Sequence, residues 1–318
     1  MSIILEIREK LKRIFSGYEY WIVAVIKAVV ALIALIFINR NLGQFTLAKN
    51  PLVVIVLILI SAVLPLNGIV ILLGIVVLMH LQAISFMMLG VGLLLLLCGL
   101  ALVFRFEKSD AWGVLFAPLA LQMNVGPAIP LFFGLRGTPF SVVGIAYGTV
   151  LYYFMLMVRD RAAKLNGSSL QASADQMSAF ATAFAQNKEM ILMVAIFVIV
   201  LFVVYLISRS PIDYAWNIAT GVGLGLYLVL YFMGASFLKI EPKIIVIPAV
   251  LVSAAMAVIL QLFVFNLDYT RVEHVTFEDD DYMYYVKAVP KNSISERKMK
   301  INRINVRSGA GKTGEGES

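Results

Sequence analysis

The chain has 318 residues, 61% of them hydrophobic and 14% charged, with a formal net charge of +7. Soluble domains run at about half apolar and a quarter charged. A water-facing surface is therefore excluded for most of this chain, and its solvent is lipid, where apolar side chains face outward without penalty. The basic excess does not point to nucleic acid, because nine of the 26 Lys and Arg lie from Arg271 onward, outside the apolar runs. Charge in such flanking segments sets orientation and contacts anionic head groups.

Residues 1–19 predict a cytoplasmic amphipathic helix. Ile4, Ile7, Leu11, Ile14 and Phe15 share one face, and Arg8, Lys10, Lys12 and Arg13 the other. That pattern lies flat on anionic lipid or packs as a cytosolic helix. A membrane domain is expected over 20–266. Its first run, from Tyr20 to Ile38, is long enough to span and reads as a retained anchor. Lys27 lies inside it, where an ammonium must snorkel to the interface or find a partner.

Residues 51–158 are cut by Pro and Gly. Segments 51–64 and 68–84, borderline in length, are separated by Pro65, Asn67 and Gly68, and a span over 86–104 follows. Segments 113–123 and 126–135 are separated by Gly126, Pro127 and Pro130, and a span over 140–158 follows. At about 1.5 Å per residue, each member of the second pair covers about half of a bilayer core. The order short, short, long thus occurs twice. Laying residue 81 on 135 aligns Leu81 with Leu135, Phe86 with Phe140, Gly90 with Gly144 and Arg105 with Arg159. Two such odd-numbered units would be inverted, the layout of many secondary transporters.

Residues 159–188 are polar and read as an outer loop. Spans follow over 190–207, 214–233 and 244–265. Gly221 and Gly225 give the second of these a small face, with Ser253, Ala254, Ala255 and Ala257 as its expected partner. Segment 267–291 reads as a small cytoplasmic β-hairpin around the acidic run Glu278 to Asp281. Residues 292–318 form a basic, then Gly-rich tail expected to be disordered. The expected fold is an all-α polytopic membrane protein with about six full transmembrane helices. Two pairs of short broken or re-entrant helices and a β-prone C-terminal tail complete it. The Lys and Arg distribution places both termini in the cytoplasm and the protein in the cell membrane.

Chemical motifs are sparse. Gly309-Ala310-Gly311-Lys312-Thr313 imitates a phosphate loop, but Val306 stands where the first glycine belongs and no helix-length segment follows. His80 and His274 have no partners at metal-ligand spacing, and the lone Cys98 builds no site. No apolar span carries an Asp or Glu, which removes a carboxylate proton relay. The sequence thus predicts no enzyme, no cofactor and no metal. Polar residues collect at the breaks: His80, Gln82, Gln122, Asn124, Arg136 and Thr138. With half-helix N-termini, they are candidates for binding an anionic or zwitterionic solute in a permease or carrier. Read structurally, the same residues cap broken helices. The alternative function is a membrane scaffold that recruits a protein partner through 267–300. Expected partners are the bilayer, anionic head groups and that protein, not nucleic acid.

Overall fold

The computed structural model describes residues 10–11, 14–105, 111–161, 170–212, 214–264, 273–278 and 283–288. Most of the expected N-terminal amphipathic helix, Asp279 to Asp281 and the tail beyond 288 lie outside these residues. The elements in order are α1 (Glu19–Asn41), a 3-10 turn (Leu47–Lys49), α2 (Pro51–Val63), α3 (Leu66–Ile84), α4 (Phe86–Arg105), α5 (Ala111–Gln122), α6 (Ala128–Arg136), α7 (Ser141–Arg161), α8 (Leu170–Ala185), α9 (Lys188–Ser208), α10 (Ala215–Leu238), α11 (Val246–Val264), β1 (Glu273–Glu278) and β2 (Met283–Ala288). Among the described residues, five helices are long and apolar enough to cross a membrane. Large apolar side chains such as Leu52, Leu94, Leu206 and Leu251 are exposed on their outside, as a lipid solvent permits.

Local chemistry sets the boundaries. Asn50 caps α2 by accepting from the Leu52 amide, with Pro51 in the first turn, where a missing N–H costs nothing. Leu64 is extended, as a residue before proline prefers, and α2 stops there. Asn187 caps α9 by accepting from the Met190 amide. At the end of α10 the Ile240 amide returns to the Ala235 carbonyl across Lys239, which is left-handed at φ 55°. That is a Schellman-type stop.

Packing gives each helix a direction. Asn41 at the end of α1 meets Arg159 at the end of α7, and this face is the Asn41 end. The Gly134 carbonyl of α6 lies beside Ser208 at the end of α9, and this face is the Ser208 end. α5 runs parallel to α7, since Gly113 packs on Gly144 and Ile145, and Gly148 on Gly113, Val114 and Ala117. α6 returns alongside α9, with Gly126 near Phe197 and Gly134 near Leu201 and Val204. α5 and α6 therefore form a hairpin that starts and finishes at the Ser208 end, with its turn inside the bundle.

The hairpin of α2 and α3 faces the other way. It starts beside the 3-10 turn at the Asn41 end, turns at Leu64 beside Lys27, and brings His80 back to Asn39. Gly74 against Leu96, and Gly92 against Leu78 and Leu81, show α4 antiparallel to α3.

Three expectations need correction. The first pair is not two matched short helices, because α3 has 19 residues and belongs to the five long ones. Nor does the packing repeat: the second arm α3 lies along α4 in one half, whereas the first arm α5 lies along α7 in the other. The small face of α10 also differs. Gly223 packs on Val204 and Leu131, while a side chain at Gly221 or Gly225 would meet open space.

The buried side chains form two clusters. One joins α1, α3, α4 and α8, and the other joins α6, α9, α10 and α11. The α5–α7 pair contributes to both and forms the wall between them. Separately, β1 and β2 pair antiparallel, with Val275 opposite Val286 and Phe277 opposite Tyr284.

Lys27 uses its ammonium at the α2–α3 turn. It donates to the Leu64 carbonyl at 3.1 Å, one of the carbonyls freed where α2 ends. A charged hydrogen bond of this kind contributes about 1.5–3 kcal/mol. Lys27→Met should lower the thermal midpoint in nanodiscs while Lys27→Arg largely preserves it. Equal midpoints for Met and wild type would show that the contact stabilises nothing.

Candidate functional site

The six polar residues singled out in the sequence do not converge. His80 is fully buried at the Asn41 end and forms part of a structural clasp. The Phe45 amide donates to its Nδ1 at 3.1 Å, which makes that nitrogen the acceptor. Nε2 therefore carries the proton and donates to Asn39 Oδ1 at 2.9 Å. The Asn39 amide nitrogen in turn donates to the Ala48 carbonyl at 2.9 Å. The clasp satisfies backbone groups of the loop between α1 and α2, which would otherwise lie unpaired beside the bundle.

Gln82, two residues on, is exposed. Arg136 ends α6 at the Ser208 end and is exposed, not buried at the break as expected. Thr138 lies beside it, its Oγ1 buried without a hydrogen-bond partner. Gln122 is half-buried at the end of α5.

Asn124 alone of the six lines a cavity. Its backbone is left-handed, φ 56°, and the Val125 amide returns to the Ala120 carbonyl across it at 2.8 Å. Asn124 thus caps α5 in the position where Asn is the usual substitute for Gly, and its side chain points to the neighbouring space by exposure.

That space is a cavity of about 100 Å³ at the α5–α6 turn. Its lining includes Asn124, Gly126, Tyr152, Tyr153, Tyr227 and Tyr231, with Glu189 and Lys243 also contributing. Tyr153, Tyr227 and Tyr231 are buried. Tyr227 and Tyr231 stack one turn apart on α10, with ring planes 1° apart and centroids at 6.4 Å. Tyr231 Oη accepts the Lys243 amide at 3.1 Å, fixing the loop before α11. The Lys243 ammonium donates to Glu189 Oε2 at 3.0 Å. Glu189 sits in the first turn of α9, where the helix dipole favours a carboxylate. Toward the Ser208 end, Phe197, Val200, Leu201 and Val204 are fully buried.

The turn offers an incoming ligand more acceptors than donors. The amides of Met123, Asn124, Val125, Ala128 and Ile129 donate to nearby carbonyls. Pro127 and Pro130 have no N–H, so among residues 123–130 that leaves the Gly126 amide unspent on a turn carbonyl. The expected half-helix N-terminus is present at α6, but its donors are consumed by its own turn.

A second cavity, about 90 Å³, lies on the other side of the α5–α7 wall. Apolar side chains such as Leu73, Leu96 and Leu119 line it, and the Tyr147 hydroxyl on its wall already donates to the Leu95 carbonyl at 2.8 Å. Among the described residues, no group of three or more His, Cys, Asp or Glu is placed to hold a metal.

The residues missed in the sequence are Tyr152, Tyr153, Tyr227, Tyr231, Glu189 and Lys243. The tyrosine pairs carried a signal, because adjacent and i, i+4 hydroxyl-bearing rings inside apolar spans need partners. Glu189 and Lys243 carried no such signal, because they are 54 residues apart. Comparison with protein families, with curated proteins and with solved structures returned no match.

Proposed function

We propose that this protein is a membrane carrier for a small polar solute, which binds in the tyrosine-lined cavity at the α5–α6 turn. The observation that carries the reading is a cavity at a broken helix pair that brings tyrosine hydroxyls and the Glu189–Lys243 pair together over an apolar floor. Broken helices that place irregular backbone beside a cavity are how secondary carriers expose binding groups inside a membrane. The opposed directions of the two hairpins fit a machine that must face both sides of a bilayer. On this reading the Ser208 end is cytoplasmic, because α1 begins and α11 finishes on that side and the Lys and Arg distribution in the sequence assigns both termini to the cytoplasm. The protein sits in the cell membrane with both termini inside, and it carries no catalytic centre.

The test is uptake into proteoliposomes with the cavity filled. Ala249 lines the cavity and is buried. Ala249→Trp should abolish counterflow of any transported solute, while Gly221→Trp, on an open face, should not. Uptake unaffected by Ala249→Trp would move transport away from this cavity.

A second reading, a scaffold, is favoured by one observation. The β1–β2 pair belongs to a unit of its own, distinct from the helical one. If no solute is taken up and the tail over 267–300 captures a specific protein, the scaffold reading replaces the carrier.

A further inference from the structure

Resting on the carrier reading, we infer that the cavity takes a small zwitterion, ammonium inward, with its carboxylate held at the mouth by Lys243. Four observations converge on this class. The cavity wall carries both a carboxylate and an ammonium, Glu189 and Lys243, 3.0 Å apart. Their side chains differ in depth: Lys243 is 60% exposed and Glu189 37%. The interior beyond them holds tyrosine rings and hydroxyls with no formal charge. The helix turn at its base has spent its amides on its own carbonyls, save that of Gly126.

Each simpler charge type meets an obstacle. An anion entering the cavity passes the Glu189 carboxylate and then meets only neutral donors, the tyrosine hydroxyls, with no cation beyond Lys243 to offset its lost hydration. A cation is drawn by Glu189, by the tyrosine π-faces and by carbonyl lone pairs, but is opposed by Lys243 at the entrance. A molecule with one charge of each sign satisfies both residues. Its ammonium lies against Glu189 and the tyrosines, and its carboxylate takes the Lys243 ammonium. The ion pair in the empty protein is exchanged for two pairs with the ligand, so neither protein charge is left without a partner, the situation that costs most.

This assignment replaces Arg136 as the solute-binding charge. Arg136 stands at the far end of α6, exposed, and takes no part in the cavity. The cavity's size limits the class further. About 100 Å³ suits an amino acid or betaine with a minimal side chain, not a nucleotide or a sugar phosphate.

The experiment uses the full chain in nanodiscs, with glycine and trimethylglycine as zwitterionic probes, tetramethylammonium as cation and acetate as anion. Binding is read by calorimetry and by shift of the thermal midpoint, and transport by counterflow in proteoliposomes. At least one zwitterion should bind, and acetate should not. Glu189→Gln and Lys243→Gln should each weaken that zwitterion at least about tenfold. Lys243→Gln should at the same time strengthen tetramethylammonium, which a merely structural role for Lys243 would not do. Both side chains are partly exposed, so the substitutions leave the fold intact, and an unchanged midpoint without ligand verifies it.

Acetate binding that depends on Lys243, or zwitterion binding indifferent to Glu189, overturns the inference. Flux of acetate or tetramethylammonium without zwitterion binding overturns it too, while leaving the carrier reading standing. Zwitterion binding with the two-residue signature but no flux has the opposite meaning: the site is as inferred and the carrier reading fails. Neither binding nor flux with any probe defeats both.

Discussion

Gly148→Leu should cost this protein about 3 kcal/mol or more of stability, at the upper end of what overpacking a close contact does. A Cβ at Gly148 would stand 2.9 Å from the Gly113 and Val114 carbonyl oxygens and 3.1 Å from the Ala117 Cβ. Those atoms are mostly backbone, which cannot rotate away as a side-chain tip can. Gly113 is close in the reciprocal sense, with its own Cβ position 3.0 Å from the Ile145 amide nitrogen. α5 and α7 therefore meet backbone to backbone, the kind of approach small residues permit between helices in lipid. Both buried clusters rest on this pair, so separating it should loosen both at once. Gly221→Leu is the control, because nothing stands within 4 Å of a Cβ there and leucine favours helix over glycine by up to about 1 kcal/mol. Tryptophan fluorescence during heating in nanodiscs distinguishes the two. Similar midpoints for both variants would mean that the α5–α7 contact is not what holds the halves together.

The second large effect is expected at His80. His80→Ala removes the acceptor for the Phe45 amide and the donor to Asn39, and leaves a void beside Leu81 and Phe45. Unpaired buried polar groups cost about 1–3 kcal/mol each, and the void adds to that. His80→Phe separates the contributions, because it keeps the volume and the edge-on contact with Phe45, whose centroid lies 6.3 Å away, but restores neither hydrogen bond. Phe should therefore show the hydrogen-bond loss alone, a clear destabilisation smaller than that of Ala. A cycle with Asn39→Ala should show strong coupling, since the two side chains belong to one network. If His80→Phe were as stable as wild type, the clasp would be packing alone.

The helices were legible in the sequence because lipid leaves the backbone no alternative. An apolar run must satisfy its own amides and carbonyls, so Tyr20 to Ile38 or Met190 to Ile207 can only be helical. The breaks were legible too, since Pro65 and the Gly126-Pro127 pair cannot continue a helix. What a break faces was not legible. Pro65 turns a hairpin away from the Asn41 end and Gly126 turns one toward it, and no local residue encodes that difference. It is decided by partners far along the chain, such as Asn39 for His80, 41 residues away.

The candidate site failed for the same reason. Arg136 looked central because it lies close to Asn124 in sequence. α6 intervenes, and its nine residues carry the guanidinium about 12 Å along the helix axis from the turn. Glu189 and Lys243 meet over the cavity although 54 residues separate them in the chain. Asn124 lies at the break, and there its backbone does the work of a cap.

The shortness of α5 and α6 has a consequence for how the chain assembles as it is made. Twelve and nine residues are too few to settle across a bilayer alone, at about 1.5 Å each against a core of about 30 Å. Their turn also carries backbone carbonyls and the Gln122 and Asn124 side-chain amides, which lipid cannot satisfy. Until α7 has emerged, α5 has no glycine-lined groove to enter, and until α9 has emerged, α6 lacks the partner that Gly134 packs on. Residues 111–136 must therefore wait at the membrane surface while some seventy later residues, through Ser208, are synthesised and inserted. The hairpin is thus seated out of the order in which it is translated.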